Sequence, residues 1–423
     1  MLTSWNHVNI SHKLEDQLIR QNKHSLNQSY IMKLNTSLLL FIIACLSSIT
    51  SIQGQGFQKC EETAYPPDDQ YAVPQYVVDL DLPPLQRWSA LMREKGPKLV
   101  ALVDDVKDLF KSLVGEKIFE IIFKNLAKVA TTLPYPFYEE LVGISTFSEV
   151  PLSLITMYNI FYEAFTLCTS IISQDPSGQL FHGRNLDTGV FLGWDKKNHT
   201  WKVAEQLRPL AVELEWRKNG TAVFRSLSFA GYVGILTGVK KDKFTLSINK
   251  RFALNGGFVG LLEWILFNDY NQSWVSFLSR EIMEEVENYE EAQTRLIKTR
   301  LLAPVYFILG GTQPGQGCII TRDRDNSNLL TLGSTKTGSG SWYLVQTNYD
   351  HWKKPPFFDD RRTPANRCMT EGGPNNASLG LIYNVLSTKP VLNKETVYTA
   401  LMQASSGQVH GWIRQCPDPC WPW

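Results

Sequence analysis

Cys168 lies where a thiol could do chemistry. It stands in Phe165-Thr166-Leu167-Cys168-Thr169-Ser170-Ile171, and His182-Gly183-Arg184-Asn185-Leu186-Asp187 follows a short way on. A thiol attacks as the thiolate, and a neighbouring cation such as Arg184 favours that form. Asp187 adds a carboxylate able to orient a base or an ammonium. The same residues also have a plainer reading. Cys is often a small buried hydrophobe, and an Arg–Asp pair is often structural. Residue types and spacing leave both open and favour the plainer one. Competing catalytic signatures are absent: there is no His-Glu-x-x-His helix and no Gly-x-Ser-x-Gly elbow. The glycine-rich stretch 310–317 lacks the Lys-Ser/Thr ending of a phosphate loop and reads as a turn before a strand. His182, His199, His351 and His410 form no metal-binding spacing. A Cys–His pair stays open, because partners need not be neighbours in sequence.

The elements around Cys168 change texture at about residue 167. Before it the pattern is helical. Leu99, Leu102, Val103, Val106, Leu109, Phe110, Leu113 and Val114 recur at three- and four-residue steps from Pro97 onward. After Gly115 the stripe continues through Ile118, Phe119, Ile121, Ile122, Leu126 and Val129. It faces either a core or a lipid surface. A third helix is expected over residues 151–165, with Pro151 at its start. Beyond Cys168 the chain reads as strands at 169–173, 211–216, 222–228, 244–251, 318–322 and 341–350. Lys218-Asn219-Gly220 marks a hairpin. Helices are expected at 258–267, 274–287 and 395–405. The expectation is therefore an α+β protein, a helical N-terminal part meeting a mixed C-terminal part.

A formal net charge of +1 over 423 residues gives no basic footprint for nucleic acid. Leu38 to Leu46 is a short apolar run after Lys33, followed by small residues, as in a secretory signal. Met32 then reads as the physiological start, and residues 1–54 as extension plus signal. Secretion implies an oxidising compartment. Sequons at Asn198, Asn219, Asn271 and Asn376 read as exposed glycan sites. Cys45 leaves with the signal. Cys416 and Cys420 enclose Pro-Asp-Pro, a loop a local disulfide would close. If Cys168 stays a thiol, one further cysteine must too. The pairing adopted joins Cys60 to Cys368 and leaves Cys318 as that thiol, although sequence does not fix connectivity.

Several stretches together resemble the acid ceramidase family. They are Cys168-Thr-Ser-Ile, residues 183–194 from Gly183-Arg-Asn-Leu-Asp to Trp194, and residues 228–238. Gln346-Thr-Asn-Tyr-Asp350, Asp359-Asp-Arg-Arg-Thr-Pro364, residues 391–398 and the Cys416-Pro-Asp-Pro-Cys420 tail complete the set. The resemblance runs in order over about residues 58–423. N-acylethanolamine acid amidases share the catalytic skeleton, and bile-salt and penicillin amidases share it more distantly. The family consists of N-terminal-nucleophile hydrolases, which implies an αββα sandwich. It also implies cleavage at Leu167–Cys168 into a helical α-subunit, 55–167, and a catalytic β-subunit, 168–423, linked by a disulfide.

The implied activity is hydrolysis of ceramide, or a related N-acyl lipid, to sphingosine and fatty acid in the lysosome, with a form also secreted. The implied partners are a membrane surface and a saposin-type activator. No metal or organic cofactor is required. In the implied site Cys168 is the nucleophile, Arg184 stabilises its thiolate, and Asp187 activates the thiol before cleavage and holds the α-amine afterwards. Asn348 donates to the oxyanion and Arg361 completes the polar network. Without the resemblance, Asn348 reads as a turn residue and Arg361 as a salt bridge to Asp359 or Asp360. One departure stands out: the family's Asn-Glu-Arg-Phe stretch is Asn249-Lys250-Arg251-Phe252 here, an inversion of charge. N-acylethanolamine hydrolysis and a non-catalytic lipid-binding role are the alternatives.

Overall fold

The computed structural model describes residues 59–161, 167–188, 193–252, 260, 263–264, 268–334 and 342–420. The signal segment, Met32, the end of the helix expected at 151–165 and most of 258–267 lie outside them. Residues 57–112 and 116–423 make one compact unit. The other unit, residues 1–56 with 113–115, falls almost wholly outside the described residues.

The N-terminal part is helical, as expected. After β1 (Gln75–Asp79) come α1 (Ser89–Val114), α2 (Glu116–Ala130), α3 (Phe137–Ser148) and α4 (Leu152–Phe161). Helix α1 begins before Pro97, which lies inside it rather than at its start. Leu99, Leu102, Val103, Val106, Leu126 and Val129 are buried, so these six residues follow the core-facing reading of the stripe.

Among the described residues, the strands from Leu167 onward, joined by β1, form two main sheets. The smaller contains β2 (Leu167–Gln174), β3 (Leu180–Asp187), β13 (Tyr343–Gln346), β14 (Thr396–Gln403) and β15 (Gln408–Ile413), in the order β13-β2-β3-β14-β15. The larger runs β1-β6-β7-β8-β9-β10-β11-β12. Its strands are β6 (Ala211–Lys218), β7 (Thr221–Phe229), β8 (Thr237–Lys240), β9 (Phe244–Lys250), β10 (Val305–Gly310), β11 (Gly317–Arg322) and β12 (Ser327–Thr331). A two-stranded piece, β4 (Trp194–Asp195) with β5 (Thr200–Trp201), leads into α5 (Lys202–Leu207). Asn219 and Gly220 both take positive φ, 51° and 72°, the twist that a two-residue hairpin between β6 and β7 needs. The 311–316 turn joins β10 to β11 as expected.

The layers follow from the period of two in β2. Ile172 packs with Tyr306, Ile308 and Ile319 of the larger sheet. Its neighbour Ile171 packs the other way, against Met369 and Ile382. Those two belong to α8 (Arg362–Gly372) and α9 (Leu379–Ser387), the outer helical layer. A Cβ on Gly183 would sit 2.4 Å from Ile382 Cγ2, so glycine lets α9 approach β3. On the far side α6 (Val275–Glu285) and α7 (Tyr289–Lys298) pack on the larger sheet. This is the αββα sandwich.

The sequence reading of 395–405 as a helix is wrong: Thr396–Gln403 is β14. The strand lies between β3 and β15, and seven of its eight residues are buried, so neither face shows the polar alternation that marks a half-exposed strand. The run Thr396-Val397-Tyr398-Thr399, β-branched and aromatic, carried the strand signal.

Cys60–Cys368 and Cys416–Cys420 are disulfides, and Cys168 and Cys318 remain thiols, as expected. The four sequon asparagines are exposed.

A buried ion cluster fixes α3 to α6. Glu140 accepts two bonds from Arg280 at 2.6 Å, one from Arg87 at 2.9 Å and one from the Trp88 indole at 2.7 Å. Burial works against the Glu140 charge, but Arg280, Trp88 and Arg87 outweigh it and hold the carboxyl below its ordinary range. The stability it contributes is therefore present at neutral pH and lost only in strong acid. Glu140→Ala leaves Arg280 buried without its main anion. The expected cost is about 3–5 kcal/mol, read as a lower urea midpoint.

Candidate active site

The β2–β3 hairpin sets the centre of the site. Its register places Cys168 opposite Leu186, Ser170 opposite Arg184, and Leu167 opposite Asp187. Alternation then sends Cys168, Ser170, Arg184 and His182 toward the larger sheet, and Asp187 toward the helical layer. The side-chain contacts agree. Arg184 Nη2 donates to Cys168 Sγ, while its Nη1 donates to the Leu236 carbonyl at 2.8 Å and to Thr237 Oγ1 at 3.0 Å. Arg184 is fully buried, so its charge acts on the sulfur with little screening by water.

The backbone of Cys168 is held from the other direction. Its N–H donates to Asn348 Oδ1 at 2.8 Å, and its carbonyl accepts from Arg361 Nη1 at 2.8 Å. Arg361 Nη2 also donates to Asn348 Oδ1 at 2.7 Å. Two donors converging on one atom identify it as the amide oxygen. Asn348 Nδ2 donates to the Lys250 carbonyl at 2.8 Å. Asn348 thus holds the Cys168 backbone nitrogen, whereas the sequence reading expected it to serve an oxyanion. The loop carrying Asn348 is pinned by Asp350, which accepts from Tyr306 at 2.7 Å and from Arg251 at 2.7 and 3.1 Å. Burial alone would raise the Asp350 carboxyl; Arg251, Tyr306 and Lys353 override it and bring it to about 2.

Arg361 stands just before α8 and binds Asp359 at 2.7 and 3.0 Å, Asp187 Oδ2 at 3.1 Å and Thr169 Oγ1 at 3.2 Å. Burial pushes Asp187 up to about 6 in spite of Arg361. All five residues singled out in the sequence are therefore brought together around Cys168, and all are buried. The salt bridge from Arg361 to Asp359, its plainer reading, is present as well.

Among the described residues the four histidines take other partners than Cys168. His182 lies on the same face as Cys168 but bonds Thr245 and Ser247, each at 2.9 Å, and burial drives it down to about 3, so it is neutral. His199 bonds Asp418, His351 lies against Trp352, and His410 lies near Trp412. Sequence reasoning named Asp359 only as a salt-bridge partner of Arg361, and it missed Glu395, which is buried close to that pair. Both lay inside the quoted motifs, but neither spacing nor residue type separated them from surface acids.

Lys250 ends β9. Its backbone carbonyl supplies the bond to Asn348, which any residue provides, and its ammonium lies 5.8 Å from the Phe252 ring centroid. The Glu-to-Lys departure therefore leaves the hold on Asn348 intact.

Comparison with known proteins identifies the family. A family model described as linear amide C–N hydrolases, choloylglycine hydrolase family, matches residues 168–411. One described as the beta subunit of N-acylethanolamine-hydrolyzing acid amidase matches residues 71–133. The chain is 48% identical to acid ceramidase of Homo sapiens over 86% of its length and 93% of that protein's. It is 46% identical to acid ceramidase of Mus musculus, over 92% of this chain and 99% of that one. Among solved structures, a Caenorhabditis elegans N-acylethanolamine-hydrolyzing acid amidase ortholog is 31% identical, covering 58% of this chain and all of that one, with a TM-score of 0.49.

Proposed function

Because the chain belongs to the acid ceramidase family of N-terminal-nucleophile amidohydrolases, we propose that it hydrolyses ceramide to sphingosine and fatty acid at acid pH, through Cys168 exposed by its own cleavage. The observation that carries this reading is that the N–H, the carbonyl and the sulfur of Cys168 are each gripped by a different site residue: Asn348, Arg361 and Arg184. A merely structural buried cysteine needs none of these.

Cleavage of the Leu167–Cys168 bond turns an amide nitrogen, which is no useful base, into an α-amine that titrates near ~8 when unperturbed. Asp187, opposite Leu167 in the register, activates the thiol beforehand and anchors the α-ammonium afterwards. The amine accepts the thiol proton. The thiolate, steadied by Arg184, attacks the amide carbonyl, and the oxyanion is stabilised by Asn348. As the intermediate collapses, the C–N bond breaks and the proton passes to the departing sphingoid amine. Water then splits the thioester, releasing the fatty acid and restoring the thiol. No step calls for a metal or organic cofactor.

The signal segment, the disulfides and the sequons support a lysosomal glycoprotein, with some secreted. Ceramide resides in membranes, so the enzyme meets it at a membrane surface, helped by a saposin-type activator. The cleaved α- and β-subunits, 55–167 and 168–423, stay joined through Cys60–Cys368.

The test is incubation of the purified precursor at acid and neutral pH, followed by reducing gels and ceramide assay. Acid incubation is expected to yield two fragments parting before Cys168 and ceramidase activity that rises with cleavage. An intact chain that binds ceramide without turnover overturns the reading. The match of residues 71–133 to the N-acylethanolamine amidase model favours a second substrate class. Assaying one preparation on N-acyl sphingosine and N-acyl ethanolamine ranks the two.

A further inference from the structure

Glu395 immediately precedes β14 and is 1% exposed. Its backbone is tied on both sides: its N–H donates to Asn393 Oδ1 at 2.9 Å and its carbonyl accepts from Thr188 N–H at 3.1 Å. Its side-chain oxygen Oε1 is buried with no hydrogen-bond donor among the described residues. The charges facing this carboxyl are Asp187 on β3, Asp359 ahead of α8, and Arg361. The Tyr349 phenol, after β13, faces it too. Arg208 donates to the Lys394 and Thr396 carbonyls nearby, but its charge is matched by Glu205. The Lys394 ammonium turns away to the His199 carbonyl and Asp418.

The charge count around the nucleophile is therefore uneven. Asp187, Asp359 and Glu395 are three buried carboxyls, and Arg184 and Arg361 are the two buried guanidiniums that face them. With every group ionised the cluster carries one surplus negative charge in a medium that screens it poorly. One proton removes the surplus. Arg361 holds Asp359 through two bonds and Asp187 through one, so both of those carboxylates are compensated directly. Glu395 receives no such bond. Burial, then Asp187 and Asp359, push it well above the ordinary carboxyl range, while Arg361 only partly opposes them.

We propose that Glu395 is a positioning residue of the amidase site that works as the neutral acid and whose ionisation sets the alkaline limit of activity. The inference rests on Cys168 being the nucleophile. Above about pH 6, where Asp187 is ionised, a protonated Glu395 leaves two carboxylates balancing two guanidiniums, and the thiolate and α-ammonium of the cleaved enzyme form a neutral pair within them. As pH rises Glu395 releases its proton to solvent. The added negative charge disfavours both the thiolate and the oxyanion that follows it. Activity then falls although the nucleophile's own contacts are unchanged.

The experiment is the pH profile of kcat/KM for wild type, Glu395→Gln and Glu395→Asp, with cleavage and thermal midpoint recorded for each. Gln copies the neutral acid. It is expected to keep the acid plateau within about threefold and to move the alkaline limb up by about one pH unit or more. An unmoved limb, or a plateau lowered by about a hundredfold in a folded protein, overturns the proposal. Should the Gln protein fail to fold, Glu395→Asp gives the answer. A limb that persists but is displaced supports the role; an unchanged profile with only a lower maximum refutes it. Cys168→Ala is run beside them. Residual turnover there sinks the nucleophile reading itself, whereas an inactive Cys168→Ala with an unmoved Gln profile sinks only the role of Glu395.

Discussion

Cys168→Ala is expected to leave a single uncleaved chain with no measurable hydrolysis of ceramide, a loss on the order of 10^6-fold, the scale seen when a covalent nucleophile is removed. Both losses come from one atom. In the proposed mechanism the sulfur held by Arg184 attacks in self-cleavage and again in substrate hydrolysis. The fold is expected to survive. Cys168 is buried in β2 beside Leu186, and Ala keeps the strand's backbone bonds to Asn348 and Arg361, so the stability change is about 1 kcal/mol. A urea midpoint near wild type together with a dead enzyme assigns the effect to chemistry. Turnover by the uncut Ala protein refutes the nucleophile.

Arg361→Met is expected to fail differently, in stability as well as activity. Its guanidinium is the shared partner of Asp187, Asp359, Asn348 and the Cys168 carbonyl. Removing it leaves two buried carboxylates without their cation, at a cost of about 3–5 kcal/mol. It also releases the peptide unit of Cys168. Arg361→Lys separates these effects. A lysine ammonium restores charge but not the planar fork that reaches five groups at once. It is expected to recover much of the urea midpoint while kcat stays down by on the order of a hundredfold. Full activity in the Lys protein would show that Arg361 supplies charge alone.

The sequence disclosed the site unevenly, and the reason is distance along the chain. Cys168, Arg184 and Asp187 belong to adjoining strands of one hairpin, so their closeness was readable as local pattern. Asn348 and Arg361 reach Cys168 from 180 and 193 residues away, and only the resemblance to a known family brought them in. The fold shows the same division. The β6–β7 hairpin and the amphipathic helices had local signals, a positive-φ turn and a 3.6-residue stripe. β14 and β10 lack the alternation of a half-exposed strand, because both faces are buried, and with only the short β-branched run Thr396–Thr399 to mark it β14 read as a helix. Glu395 stands at the head of that misread strand. Its burial depends on the pairing of Thr396 with Asp187, which no local pattern announces.

The link between Cys60 and Cys368 acquires a further meaning once the chain is cut before Cys168. Residue 60 would belong to one fragment and residue 368 to the other. The two-fragment protein would still be one molecule, and dilution would not part it. Its unfolding midpoint is then independent of protein concentration, and reassembly runs at the high local concentration that a covalent tether imposes. Reductant converts the same protein into a dissociating pair whose midpoint falls on dilution.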